Sequence, residues 1–270
     1  MKEGYWVVRT YESGAVGEKT KFWVQGLRPT SRNRRKEKSE IKKQEQNEYS
    51  TQKQVARLIN ANFRKGDWFL GLDYSQAGME RLEAYIAEHR FPATESGDAE
   101  ADHMEQLRLA AEREMRLCLR RVKRELQKDG AALKYIAITS DMDGDTGEAV
   151  RVHHHLIINR EAREAFVQKW QELGGVDWSP LSDQPDYTPI AEYLMRQVRR
   201  IPDAKKYIPS RNLVRPQPKD RVAYSGAELR VPKGGQLLFR SEFKPGQAQY
   251  IRYVLPESRR SAPPGEEETE

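Results

Sequence analysis

The sequence predicts an α+β fold in which one antiparallel sheet carries helices on one face and a functional site on the other. Three observations point there. Apolar, β-branched runs recur at Asp67–Tyr74, Lys134–Asp141 and Arg151–Asn159, with the length and composition of strands. Between the first two, Met104, Leu107, Ala111, Met115, Cys118, Val122 and Leu126 repeat every three or four residues, the period of an amphipathic helix. A turn-rich segment, Asp143-Gly144-Asp145-Thr146-Gly147, joins the second run to the third and makes them antiparallel neighbours.

Taken in order, Tyr5–Thr10 and Phe22–Leu27 read as short strands around Gly14 and Gly17. Pro29–Glu48 is charged and aperiodic, a linker or basic arm. Ser50 is placed to cap a helix carrying Val55, Leu58, Ile59 and Phe63, which Gly66 ends. After the strand at Asp67–Tyr74 comes a helix over Gln76–Glu88. A loop through Phe91-Pro92 and Glu95-Ser96-Gly97-Asp98 follows. The Asp102/Glu105 pair has capping-box spacing and opens the longest helix, which Gly130 stops. Asn159 is placed to cap a helix with Ala162, Phe166, Trp170 and Leu173, and Val176–Leu181 reads as a fourth strand. The order is β-α-β-β-α-β, the ferredoxin-like or RRM-like pattern. Thr188 and Pro189 then open a further helix with Ile190, Tyr193, Leu194 and Gln197 on one face. Two late strands are expected at Gln236–Phe243 and Gln249–Val254. The organisation expected is an N-terminal region over residues 1–66, a main domain over 67–255 and a disordered acidic tail over 256–270.

The composition narrows the partners. The apolar fraction is 37% and the charged fraction 33%, which suits one compact domain with polar arms. The net charge is +6 and unevenly spread: residues 28–65 hold twelve Lys/Arg against four Glu, and 196–221 hold nine against two Asp. Such blocks suit a polyphosphate, although solvated helix faces are the better account of the first by itself. The single cysteine, Cys118, excludes an internal disulfide and falls on the apolar stripe of the long helix. No apolar run approaches the ~18 residues of a membrane span and no signal-peptide core is visible, so a cytoplasmic protein without a membrane partner is expected.

Chemistry concentrates in Arg151-Val152-His153-His154-His155-Leu156-Ile157-Ile158-Asn159, which holds three of the five histidines. On a strand, His153 and His155 share one face and His154 takes the other. Two imidazoles about 7 Å apart along a strand can close on one metal ion; the plainer reading is a strand with ordinary histidines. Tyr193, in turn, is either a core tyrosine on an amphipathic helix or a nucleophile.

Together, Phe69-Leu70-Gly71-Leu72, the histidine strand and the later Tyr-x-x-basic helix resemble the HUH endonucleases. The closest branch is the single-tyrosine rolling-circle replication initiators of phages, plasmids and prophages. The resemblance covers Asp67–Arg200, with a weaker likeness at Ser210-Arg211-Asn212-Leu213. It implies a DNA nickase and strand transferase that binds single-stranded or hairpin origin DNA and forms a covalent 5′-phosphotyrosine intermediate at Tyr193. It implies Mn²⁺ or Mg²⁺ held by His153, His155 and an acidic residue of the preceding strand. Ser140 and Asp141 occupy the place of the family's glutamate. Strand parity, with Ile136 and Ile138 taken as core-facing, favours Asp141 over Ser140; Asp143, Asp145 and Glu148 stand behind it. Arg196 replaces the family's lysine one helical turn after the tyrosine, keeping its charge but not its proton. Asp73 stands where threonine or serine is usual and reads as a strand end. Tyr187 lies before Pro189 and reads as packing, so one tyrosine is expected to act.

The chemistry is coherent. Free tyrosine is ionised only to about one part in a thousand at neutral pH, so a cation on the scissile phosphate offsets a weak nucleophile. Arg199, Arg200, Lys205, Lys206 and Arg211 are expected to hold the DNA backbone. No Gly-x-x-x-x-Gly-Lys-Ser/Thr loop is present, so unwinding would fall to a host helicase. A non-catalytic, repressor-like DNA-binding protein on a degenerate HUH fold remains a second reading, as does a transposase or relaxase using the same chemistry.

Overall fold

A computed structural model describes residues 4–25, 40–89, 98–198, 205–223, 227–242, 244 and 247–260, with the backbone alone over 40–48. In chain order the described elements are β1 (Gly4–Ser13), β2 (Val16–Gln25), α1 (Glu40–Asn62), β3 (Trp68–Asp73), α2 (Gln76–Glu88), α3 (Ala99–Lys128), β4 (Tyr135–Met142), β5 (Ala149–Ile158), α4 (Arg163–Trp170), β6 (Val176–Pro180), α5 (Thr188–Arg196), β7 (Ile208–Pro209), β8 (Lys219–Ala223), β9 (Gln236–Arg240) and β10 (Gln249–Val254). The fold is α+β, with two five-stranded antiparallel sheets and five α-helices among the described residues. None of these helices is long and apolar enough to cross a membrane.

The chain divides into two units. The first comprises Met1–Asn62, Gln184–Pro189 and Val214–Glu270, the second Phe63–Asp183 and Ile190–Leu213. The late strands thus correct the expected division. β10 pairs with β2 and β8 with β1, completing a sheet of order β8-β1-β2-β10-β9. They do not extend the sheet that carries the histidines. Alternation along a strand shows that one face is buried, not which sheet buries it. In this unit Glu18 of β2 accepts Arg57 of α1 at 3.0 and 2.7 Å and the Tyr250 hydroxyl of β10 at 3.1 Å. The buried carboxylate thereby joins the helix to the sheet. Gly14 (φ 59°) turns β1 into β2, and a Cβ there would strike the Asn60 carbonyl oxygen at 2.1 Å.

In the second unit the sheet runs β6-β3-β5-β4-β7. Leu70, Leu72, Ala137, Val152, Leu156 and Ile158 turn one face toward Leu82 of α2, Met115, Cys118 and Val122 of α3, and Phe166 and Trp170 of α4. Full burial of each such side chain contributes about 1.5–3 kcal/mol. Cys118 lies in this core, and burial pushes its thiol up to about 12. The predicted helix over Gln76–Glu88 is found with those bounds, and Ser75 caps it through Gly78 N–H. The cap of α3 is Asp98, which accepts from the N–H groups of Glu100 and Ala101. The Asp102/Glu105 spacing therefore falls inside the first turns. Asn159 does not cap α4. Its side chain accepts from Lys134 N–H and donates to the Ala132 carbonyl, tying the end of β5 to the approach to β4. The loop expected at Phe91-Pro92 and residues 261–270 of the expected tail lie outside the described residues, whereas Glu257–Arg259, at the start of that tail, form a short 3-10 turn.

Candidate functional site

The face of this sheet opposite α2, α3 and α4 is read from its register. Asp73 of β3 pairs with His153 of β5, Gly71 with His155, and Phe69 with Ile157. On the other flank Ser140 of β4 pairs with His153, Ile138 with His155 and Ile136 with Ile157. Directly opposed residues share a face. His153 and His155 therefore stand among Phe69, Gly71, Asp73, Ile136, Ile138 and Ser140. His154 takes the helix-packed face with Leu72 and Thr139.

The central histidine is a core residue. It is fully buried, with Nε2 2.9 Å from the Tyr74 hydroxyl and Nδ1 2.9 Å from the Thr139 hydroxyl. Trp170 stands edge-on to both rings. Burial, with lesser contributions from His153 and His155, pushes its pKa down to about 3, so it is neutral at physiological pH.

The outer pair converges. His153 Nδ1 lies 2.9 Å from the Arg151 carbonyl oxygen, which can only accept. In the neutral ring Nδ1 then carries the proton and Nε2 keeps its lone pair. That Nε2 is 3.1 Å from His155 Nε2. Two nitrogens bound at about 2.1 Å to one ion, at angles of roughly 90–109°, would sit about 3.0–3.4 Å apart. A metal-bound histidine commonly donates its other N–H to a backbone carbonyl, as His153 does here. Burial, with His153 as a neighbour, pushes His155 down to about 4, so it too is neutral. Its Nδ1 is buried without a hydrogen-bond partner among the described residues.

Tyr193 reaches this pair from α5. Ala191 and Leu194 are fully buried, whereas Tyr193 is 36% exposed. Its ring stands edge-on to His155 at 5.6 Å and to Phe69 at 6.1 Å. The end of the helix is fixed by two residues outside the expected site. The Ser140 hydroxyl donates to the Gln197 carbonyl oxygen. The Gln197 side-chain oxygen accepts from Gly144 N–H at 3.2 Å. One helical turn from Tyr193, Arg196 is exposed, with Asp145 4.0 Å away. Tyr187 is buried, as its packing role requires.

The strand register does not set the expected third ligand, Asp141, opposite the pair. The parity argument took Ile138 as facing the helix-packed core, but Ile138 pairs with His155 on the site face. Ser140 therefore shares that face. Asp141 lies at an irregularity between Ser140 and Met142 and is buried. Asp143 instead accepts the Asp145 and Thr146 N–H groups within its turn, which holds its carboxyl below the usual range. Among the described residues, no three His, Cys, Asp or Glu side chains form a group already placed to hold a metal. The pair by itself fits two sites of a divalent ion's coordination shell.

Of the basic residues, Lys205 and Lys206 line a small cleft with Arg108, Glu112 and Ile138, and Arg211 is exposed. Arg199 and Arg200 lie outside the described residues. Arg151 was not anticipated. It is exposed and lies on the same strand face as His153, two residues away. Comparison with protein-family models, with curated proteins and with solved structures finds no match.

Proposed function

We propose that this protein cuts and rejoins single-stranded DNA through Tyr193, in the manner of a rolling-circle replication initiator of the HUH type. The observation that carries the reading is the convergence of His153 and His155 Nε2, 3.1 Å apart, beneath the ring of Tyr193. The strand order β6-β3-β5-β4, with helices on one face, supports a ferredoxin-like core for this unit.

A divalent cation (Mn²⁺ or Mg²⁺) held by the two imidazoles would polarise the scissile phosphate and offset its charge. The Tyr193 hydroxyl attacks phosphorus and gives up its proton. The bond to the 3′ oxygen breaks, and that oxygen leaves as a protonated hydroxyl. The 5′ phosphate remains esterified to tyrosine, so one phosphodiester replaces another and reversal needs no ATP. Arg196 and Arg151, exposed beside the site, are suited to flanking phosphates. Lys205, Lys206 and Arg211 are assigned to the DNA backbone further along. A host helicase would supply unwinding.

The test uses labelled single-stranded hairpin oligonucleotides from the DNA flanking the gene, incubated with the full chain and Mn²⁺. A denaturant-stable adduct is expected. Tyr193→Phe should abolish it while retaining DNA binding and, because only an exposed hydroxyl is lost, stability within about 0.5 kcal/mol. Binding without adduct under any divalent ion would favour the non-catalytic DNA-binding reading.

A further inference from the structure

We propose that Asp73, at the end of β3, is the carboxylate that works with His153 and His155, in place of Asp141. The proposal rests on the reading of the histidine pair as a metal-holding site. Asp73 is the residue of β3 directly opposite His153, on the same face of the sheet. Side chains so opposed have Cβ atoms about 4.5–5.5 Å apart, so rotation about its side-chain bonds moves the carboxylate beside the imidazoles. On the other flank of His153 the opposing residue is Ser140, whose hydroxyl is committed to the Gln197 carbonyl. A carboxylate is therefore offered from the β3 side.

The backbone of Asp73 is held at both polar groups. Its N–H donates to the Gly175 carbonyl at 3.1 Å, and its carbonyl accepts from the Trp170 indole N–H at 3.0 Å. Its carboxylate is exposed and has neither a hydrogen bond nor an ion pair among the described residues. A fixed backbone carrying an uncommitted acid is what a ligand position requires. Next to it on the same face, Gly71 lies opposite His155. A Cβ on Gly71 would meet only Asp177 Cβ, at 3.8 Å, so the floor beside His155 is open. Asp177 also faces this side, but it lies two strands from His155, about 9–10 Å away. Two imidazoles and one carboxylate leave positions for a phosphate oxygen and water, and the nitrogen donors favour Mn²⁺ over Mg²⁺.

Mn²⁺ binding to the metal-stripped full chain, read by electron paramagnetic resonance and calorimetry, separates the possibilities. Asp73→Asn should weaken Mn²⁺ binding at least tenfold with an unchanged melting temperature, and Asp177→Asn should stay within twofold of wild type. Asp73→His should move preference from Mn²⁺ toward Zn²⁺, which a purely structural role would not do. If Asp73→Asn binds Mn²⁺ within twofold of wild type while His153→Ala and His155→Ala lose it, Asp73 is overturned and the histidine reading stands. If the wild-type chain binds no Mn²⁺, both fall.

Discussion

Three adjacent histidines meet three different environments, and acid titration should report on the two that burial perturbs, His154 and His155. His154 has a folded-state pKa of about 3, against 6.5 for the unperturbed group. Above pH 6.5 both folded and unfolded chains hold it neutral, and its contribution to stability is complete. Below that, the unfolded chain takes up the proton first, so stability falls as pH drops from about 6.5 toward 3. The limiting slope for one proton is about 1.4 kcal/mol per pH unit. His155, pushed to about 4, adds to the same window. His154→Gln retains a donor and an acceptor for Tyr74 and Thr139 but cannot titrate. Its melting temperature should therefore change less than wild type between pH 6.5 and 4, as measured by calorimetry. Alternation alone assigned His154 to the core. The partners of His153 and the pairing of Asp73 depend on register across strands 80 residues apart, which no local pattern encodes.

At the scale of elements, the position of Tyr193 depends on how α5 is anchored. Gln197→Ala removes the acceptor for Gly144 N–H and should cost about 1 kcal/mol. The rate of adduct formation should drop while the Tyr193 hydroxyl remains, with single-turnover kinetics as the measurement. In the other unit, Glu18→Ala would leave Arg57 buried without its carboxylate. A loss of about 3–5 kcal/mol is expected in denaturant unfolding of that unit. The helices α2 and α3 and the three apolar strands were readable because periodicity and burial agree along them. β7, two residues in a basic loop, and β8, with the sequence Lys-Asp-Arg-Val-Ala, carry no such signal. Their pairing with β4 and β1 defines them. The helix α1 begins at Glu40, inside a stretch whose charge suggested a linker.

For the molecule as a whole, the units divide at Asn62/Phe63, close to the boundary expected at 66, but the chain returns to the first unit from Val214 on. The span 67–255 was read as one domain, yet its last three strands share a sheet with β1 and β2, which precede it. Deleting residues 214–270 removes three of the five strands of that sheet. Amide protection across β1 and β2 should then collapse in hydrogen exchange, because a lone hairpin is marginal in water.

That same weave sets an order of assembly on the ribosome. β1 and β2 are made before β8, β9 and β10 and find them only after about two hundred further residues have been added. The hairpin must wait with both flanks open, exposed to wrong strand partners and to proteases, until those strands emerge. The histidine strand meets both of its long partners once β5 is complete. A nascent chain stalled near residue 200 would thus carry a paired histidine strand while the other sheet still lacked β8, β9 and β10.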